Sequence, residues 1–154
     1  MFKLKGDIAE IKKMCDRFVQ ILDECIIEEF TEWAKQDDEY LRNNDGFIDR
    51  TGNLRSSLGA GVSNKGQAAF VTSFQTVLNG SRGSSEGRSM LERVISEYPN
   101  VIAKVMVAGM DYAQYVEDID TKDVLESRRI QCEREAEDVM KRAMSKAESR
   151  IKAL

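Results

Sequence analysis

The first third of the chain carries apolar residues at spacings of three and four, with neither proline nor glycine between them. This spacing puts the apolar side chains on one face of a helix and predicts a single helix over 7–41. Asp7 is a suitable N-cap, and Glu10 follows three residues later as in a capping box. The stripe consists of Ile8, Ile11, Cys15, Phe18, Leu22, Cys25, Ile26, Phe30, Trp33 and Ala34.

Such a helix would be about 50 Å long at 1.5 Å per residue, which a domain of this size cannot cover fully. One end therefore projects or packs on a neighbouring subunit, unless the helix breaks near Gln36-Asp37-Asp38. Met140 and Met144 are interpreted as core residues of a second helix of roughly 30 residues, introduced by 120–123. Its apolar stripe is Leu125, Cys132, Ala136, Val139, Met140, Ala143, Met144, Ala147, Ile151 and Leu154.

The region between the two helices has the signals of a small sheet. Asn43-Asn44-Asp45-Gly46 predicts a turn. A hairpin is predicted from 59–63, through Asn64-Lys65-Gly66, to 68–74, and Gly59 and Gly61 either weaken its first strand or mark a bulge. The best strand is 101–107, in which odd-numbered positions face one way and even-numbered positions the other.

Residues 79–89 are rich in glycine and serine, which predicts a mobile loop. Ser85 or Ser89 is expected to cap a short helix that ends before Tyr98-Pro99. The glycine spacing does not match a phosphate-binding loop. The predicted fold class is therefore α+β, one domain over 1–154, with long N- and C-terminal helices packed on one face of a small antiparallel sheet.

Composition limits the chemistry that the chain can perform. It contains no histidine, which excludes Ser–His and Cys–His nucleophile pairs and imidazole-ligated metals, so we expect no enzyme, cofactor or metal. The three cysteines do not form a C-x-x-C pair. No apolar run is long enough for a membrane span, and the N-terminal start lacks the apolar core of a signal peptide. These features predict a protein made in the cytosol.

Charge is unevenly distributed along the chain. Residues 1–49 carry 7 basic and 13 acidic groups, whereas residues 121–154 carry 9 basic and 7 acidic groups. Complementary ends suit like subunits that meet head to tail, although a solvated surface with chance asymmetry gives the same counts. Arg128-Arg129 is too small a basic cluster for nucleic-acid binding by an acidic chain. Adjacent carboxylates such as Asp37-Asp38 point apart on a helix, which disfavours a metal or acid–base pair.

Two short motifs lie about 50 residues apart on either side of the strand segments. The first contains Thr51, Gly52, Leu54, Arg55 and Ser57, and the second contains Tyr112, Ala113, Tyr115, Val116 and Glu117. Thr51 or Asp49 can cap a single helical turn, in which Gly52 permits a backbone conformation that a Cβ would resist. Leu54 and Leu58 would anchor that turn on the sheet.

The order of these features resembles the minor tail, or head–tail joining, proteins of long-tailed phages and prophages, which act at the neck or in tail completion. Members have a long N-terminal helix, a T-G-x-L-x-x-S motif, a hairpin, a Y-A-x-x-V-E segment and a C-terminal helix. The chain departs from the family pattern after Glu117, where Asp118-Ile119 replaces a Gly-Thr pair.

The resemblance implies a virion protein, assembled in the host cytoplasm, that forms a ring of about six copies and docks to other neck or tail proteins. The motif residues are then assembly residues. Tyr112 and Tyr115 suit contacts between subunits, with core packing as the alternative. Glu117 would receive Arg50 or Arg55 across such a contact. The alternative function is a cytosolic helical adaptor or regulator that uses its long helices as a coiled-coil seam.

Overall fold

A computed structural model describes residues 7–119 and 122–154 of the chain. The N-terminal start, and Asp120 and Thr121 of the segment expected to introduce the last helix, lie outside the described residues. The elements in chain order are α1 Ile8–Asn43, α2 Asn53–Ser56, β1 Leu58–Asn64, β2 Gln67–Val71, α3 Ser81–Ser96, β3 Ile102–Ala108, α4 Ala113–Asp118 and α5 Glu126–Lys152.

Helix α1 is continuous, so the predicted long helix is confirmed and the alternative break near Asp37 is wrong. Its 36 residues correspond to about 54 Å. The Asp7 carboxylate accepts a hydrogen bond from the Ala9 amide at 3.0 Å and caps the first turn. Helix α5 runs antiparallel to α1, since Asp37 near the end of α1 contacts Arg128 near the start of α5.

The sheet has the order β2-β1-β3, with both pairings antiparallel. Lys65 and Gly66 form the hairpin turn with φ of 53° and 85°, as a two-residue turn with two left-handed positions requires. A bulge lies between Val62 and Ser63 and not at the glycines. Gly59 instead gives space to Phe74, since a Cβ at Gly59 would be 2.4 Å from the Phe74 ring.

Helices cover both faces of the sheet. Ala60 and Val62 of β1 pack with Ala34 of α1 on one face. Val105 and Val107 pack against α3 on the other face, together with Leu91, Ile95 and Phe74. The predicted α+β class, with the two long helices on one face of an antiparallel sheet, is confirmed.

The mobile loop predicted over 79–89 is wrong, because α3 begins at Ser81 and neither Ser85 nor Ser89 starts it. Glycine lowers helix propensity, which is why the sequence reads as a loop. Here Gly83 and Gly87 allow α3 to lie against backbone. A Cβ at Gly83 would be 1.9 Å from the Asn53 carbonyl oxygen, and one at Gly87 would be 2.5 Å from the Ser57 carbonyl oxygen.

Ion pairs between the acidic and basic ends of the sequence connect two helices of the same chain. Glu28 of α1 pairs with Arg150 of α5 at 2.8 Å, and Glu29 pairs with Lys146 at 2.7 Å. Acidic side chains of the N-terminal segment and basic side chains of the C-terminal segment therefore pair within one chain. The prediction of Met144 as a core residue is wrong, because the apolar face of α5 turns away from it and its side chain is 60% exposed. No helix in the two described ranges is long and apolar enough to cross a membrane.

Candidate assembly surface

The two sequence motifs lie together at the end of the molecule where α1 ends. Leu54 and Leu58 share one buried cluster with Met110 and Ala113. The Gly109 amide donates to the Ser57 carbonyl at 3.1 Å, which fixes the start of β1 beside the end of β3. Segments about 50 residues apart in the sequence thus build one region of the fold.

The first motif is a tight turn organised by Asp49. Its carboxylate accepts hydrogen bonds from the Gly52 amide at 2.9 Å and the Arg55 amide at 2.7 Å. Gly52 has a left-handed φ of 78°, and a Cβ there would be 1.9 Å from the Val77 carbonyl oxygen. The prediction that this position requires glycine is confirmed.

Arg55 and Glu117 have their partners inside the chain. The Arg55 guanidinium donates to the Asn44 carbonyl at 2.6 Å and so satisfies an acceptor at the C-terminus of α1. The Glu117 carboxylate accepts from the amides of Val124 at 3.0 Å and Leu125 at 2.8 Å, just before α5. The fold of one chain employs both side chains, in place of the expected pair across a subunit boundary.

Most other motif residues are packing residues. Leu54, Ser57 and Ala113 are buried, Val116 is half-buried, and the Ser57 hydroxyl donates to the Leu54 carbonyl at 2.7 Å. Of the ten motif residues, the exposed ones are Thr51, Tyr112 and Tyr115. The motifs therefore mainly shape this end of the molecule, and few of their side chains are free for contact.

Exposed apolar side chains surround the motif region. Ile48 is 83% exposed, Leu78 71%, Tyr115 69% and Tyr112 37%. We call these four residues the loop-end patch. Leu78 lies against the Gly52 turn, since its Cβ is 3.1 Å from the position of a Gly52 Cβ. Sequence reasoning missed Ile48 and Leu78, and the available signal was a large apolar residue inside a turn-rich stretch.

Tyr112 has a shifted side-chain pKa, and Leu78 has an unusual backbone conformation. Partial burial and the nearby Asp49 charge raise the pKa of Tyr112, although a hydrogen bond to Thr51 opposes the shift. Leu78 has a φ of 53°, which costs a residue with a Cβ about 1–2 kcal/mol. An exposed leucine held in this conformation is a reasonable basis for a functional hypothesis.

A second exposed apolar surface lies at the other end of α1. Ile21 and Cys25 are buried beneath Ala147 of α5, but the preceding turns of α1 extend beyond α5. The apolar residues there are exposed: Ile8 83%, Ile11 44%, Met14 52% and Val19 57%. We call these four residues the projecting stripe. The expected projection of one helix end is confirmed for the single chain.

A buried charge cluster ties α1, β3 and α5 together. Asp37 is fully buried and accepts hydrogen bonds from Arg128 Nε at 2.7 Å and from Lys104 Nζ. Lys104 Nζ also lies 3.2 Å from Cys132 Sγ and 4.1 Å from the centre of the Trp33 ring. Sequence reasoning considered the charges of Asp37 and Arg128 only as members of the adjacent pairs Asp37-Asp38 and Arg128-Arg129. The missed signal was Lys104, a lone charge on the α1-facing side of an apolar strand.

The charged groups of this cluster are paired with one another. Burial would lower the pKa of Arg128, but the hydrogen bond and charge of Asp37 raise it. Burial raises the pKa of the Cys132 thiol, which disfavours the reactive thiolate. Every buried side-chain nitrogen and oxygen of the described residues has a hydrogen-bond partner. In the same part of the chain, no three acidic or sulfur side chains are grouped to hold a metal.

Comparison of the chain with protein-family models, curated proteins and solved structures gave no match. Any functional conclusion about this protein therefore depends on the geometry of its described residues. That geometry offers two exposed apolar surfaces, the loop-end patch and the projecting stripe, at opposite ends of α1.

Proposed function

We propose that this protein is a structural, non-catalytic subunit of a tailed-phage or prophage virion. It assembles with copies of itself and joins neighbouring neck or tail components. The observation that carries the proposal is the pair of separate apolar surfaces on one molecule. Exposed apolar groups of this kind mark protein interaction sites when they are clustered.

The positions of the two surfaces favour head-to-tail contacts. The projecting stripe occupies the N-terminal turns of α1. The loop-end patch lies beyond its C-terminal end, where Arg55 holds the Asn44 carbonyl. Between the middle of the stripe and the end of α1 lie about 45 Å of helix. Two different surfaces at opposite ends form a heterologous contact, which generates a closed ring when the rotation between copies permits closure.

The family resemblance supports the same function. Its two motifs converge on the end of the molecule that carries the loop-end patch, and Gly109 and Ser57 join them by a hydrogen bond. Tyr112 and Tyr115 of the second motif belong to the patch itself. Tyrosine suits such a surface because its ring buries apolar area while its hydroxyl stays hydrogen-bonded.

A complementation experiment tests the head-to-tail contact. Ile11→Glu disrupts the projecting stripe and leaves the patch, whereas Leu78→Asn makes the patch polar with a residue that tolerates its φ. By sedimentation velocity, we expect each variant alone to be monomeric and an equimolar mixture to form a 1:1 dimer through the remaining pair of surfaces. Tyr98→Ser removes an exposed aromatic outside both surfaces and should assemble as the wild type does.

The virion role has its own test. Co-expression with portal, tail-tube and neighbouring tail proteins of the same genome should yield a complex with the wild-type chain and a weaker one with the Leu78→Asn variant. A chain that stays monomeric at all concentrations and never co-purifies with these components contradicts the proposal. Flanking portal, capsid or tail genes are expected around the gene.

A helical adaptor is the second candidate, and the spacing of apolar residues along the first turns of α1 is the observation that favours it. Ile8, Ile11, Cys15, Phe18 and Leu22 alternate three and four apart, as a coiled-coil seam requires. In that case a helix of another protein covers the stripe. The Ile11→Glu and Leu78→Asn variants then fail to complement each other in the mixture.

A further inference from the structure

One edge of the sheet has unpaired main-chain groups. Strand β3 has β1 on one side and no strand on the other among the described residues. The Gly109 amide bonds to Ser57, and the Lys65 amide bonds to Val101, so odd-numbered residues of β3 pair with β1 in this register. Bonded and non-bonded pairs alternate in an antiparallel ladder. The N–H and C=O groups of the four even-numbered residues therefore point away from β1: Ile102, Lys104, Met106 and Ala108.

These main-chain groups border a groove. Within the described residues, no other main-chain group hydrogen-bonds to them. A cavity of about 870 Å³ lies along Met106 to Ala108, with Met90 and Val94 of α3 on one wall and Leu125, the residue just before α5, on the other. A second hollow of about 390 Å³ follows the same strand past Ala103 and Lys104 and shares Met106 with the first.

The shape of the groove limits what can bind in it. An edge set between helices on both faces has room for one extended strand and excludes the broad edge of another sheet, which protects it from edge-to-edge aggregation. Addition of an extended segment to a free edge satisfies the orphan N–H and C=O groups. The larger cavity is lined by three basic and four acidic side chains, and Arg129 on its rim is paired with Glu126 at 2.6 Å. The groove therefore has little net charge with which to select a strongly charged peptide.

The described residues offer no free extended segment that could fill this groove. The longest irregular stretches are 44–52 and 72–80, and hydrogen bonds hold both in place. The Gly52 amide donates to the Asp49 carboxylate, and the Val77 amide donates to Ser56 Oγ. Because the groove also excludes the sheet edge of a second copy, we take a segment of a different protein as its occupant.

We infer that the free edge of β3 is a docking site for an extended, uncharged segment of a neighbouring protein, added as a fourth strand beside Ile102–Ala108. Apolar side chains at alternate positions of that segment would contact Met90 and Val94. The inference rests on the proposed function only in naming a virion component as the protein that supplies the added strand. The edge pairing itself is independent of ring formation.

Amide hydrogen exchange measured by NMR on the full chain tests the pairing. The probe is an acetylated peptide of about six residues that alternates valine and threonine. We expect the amides of Lys104, Met106 and Ala108 to exchange at least about tenfold more slowly with the peptide at millimolar concentration. The amides of Val105 and Val107, which bond to β1, should be protected both with and without peptide.

Two N-methylated peptides provide the matched control. Methylation of the alternate amides that face β3 removes the donors and should abolish protection, whereas methylation of the opposite set should preserve it. Equal effects of the two peptides, or no protection by the parent peptide, would overturn the inference. Protection that appears on raising the concentration of the chain alone would assign the edge to a second copy and would also overturn it.

A variant adds an independent measurement. Ala108→Pro removes an N–H that points out of the sheet and leaves the ladder to β1 intact. We expect at least about tenfold weaker peptide binding with retained folding. Unchanged binding by a folded variant contradicts the pairing. A negative exchange result leaves the head-to-tail complementation unaffected, so the two hypotheses fail separately.

Discussion

Among single side chains, Asp37 has the most demanding environment. It is fully buried between two cations, and its carboxylate oxygens are divided between Arg128 and Lys104. Burial of charge costs several kcal/mol per ion, and mutual pairing offsets that cost only when all partners are present. The cluster therefore fixes how α1, β3 and α5 meet, and the loss of one member is expected to be far worse than the loss of all.

Replacement of the acid alone tests this account. Asp37→Leu leaves Lys104 buried without its carboxylate partner and leaves Arg128 with only the partly exposed Glu135, at 3.2 Å. It should lower the free energy of unfolding by about 3–5 kcal/mol in urea denaturation. The triple variant Asp37→Leu, Lys104→Met, Arg128→Met should recover most of that loss. A triple variant that is no more stable than the single variant would contradict this account.

Among the elements, α3 depends most on close backbone approach. Its Gly83 and Gly87 lie one turn apart on the face that contacts Asn53 and Ser57. Glycine in a helix normally costs about 1 kcal/mol relative to alanine. The helix forms nonetheless, because Leu91 and Ile95 bury its other contacts against β3.

Alanine substitutions in α3 separate propensity from packing. Gly83→Ala and Gly87→Ala should each destabilise the protein by more than about 2 kcal/mol, although both raise helix propensity, because the new Cβ meets a backbone carbonyl. Ser85→Ala, at an exposed position of the same helix, should be neutral or stabilising by up to about 0.5 kcal/mol. Thermal unfolding measures all three. Stabilisation by the glycine variants would mean that α3 does not lie against the Asn53 turn.

For the whole molecule, the α1–α5 pair defines the long axis and carries the ion pairs between acidic and basic segments. A hydrogen bond from Lys146 lowers the pKa of Glu29, and one from Arg150 lowers the pKa of Glu28, in both cases against the effect of burial. A carboxyl whose pKa is lower in the folded state stabilises that state above its unfolded pKa and loses this effect as pH falls through the folded value.

The protein should therefore lose stability as pH falls below about 4.5, the ordinary value for these glutamates. In the double variant Glu28→Gln, Glu29→Gln, the melting temperature should be lower at neutral pH and should fall less on acidification. The effect of Glu29 is at most about 1 kcal/mol, since one of its partners is solvent-exposed. Glu137→Gln, whose partner Lys141 lies on the same helix, serves as the control and should keep the wild-type pH dependence.

Local patterns in the amino-acid sequence were enough to predict the periodic elements. The spacing of apolar residues indicated both long helices, and the alternation in 101–107 indicated the two faces of β3, because these patterns depend on local geometry. Turn chemistry was equally local. The glycine requirement at position 52 followed from the motif around it, and the structure confirms it through the φ of 78°.

Features that depend on partners distant in sequence became visible only in the folded chain. In the sequence, Gly83 and Gly87 predict a loop. Only the structure shows that they allow α3 to lie against Asn53 and Ser57. No local pattern links Asp37 to Lys104 and Arg128, which reach it from two other elements of the fold. Helix propensity describes a residue in an isolated, solvated helix, whereas packing depends on specific neighbouring residues. Those neighbours are known only once the chain has folded.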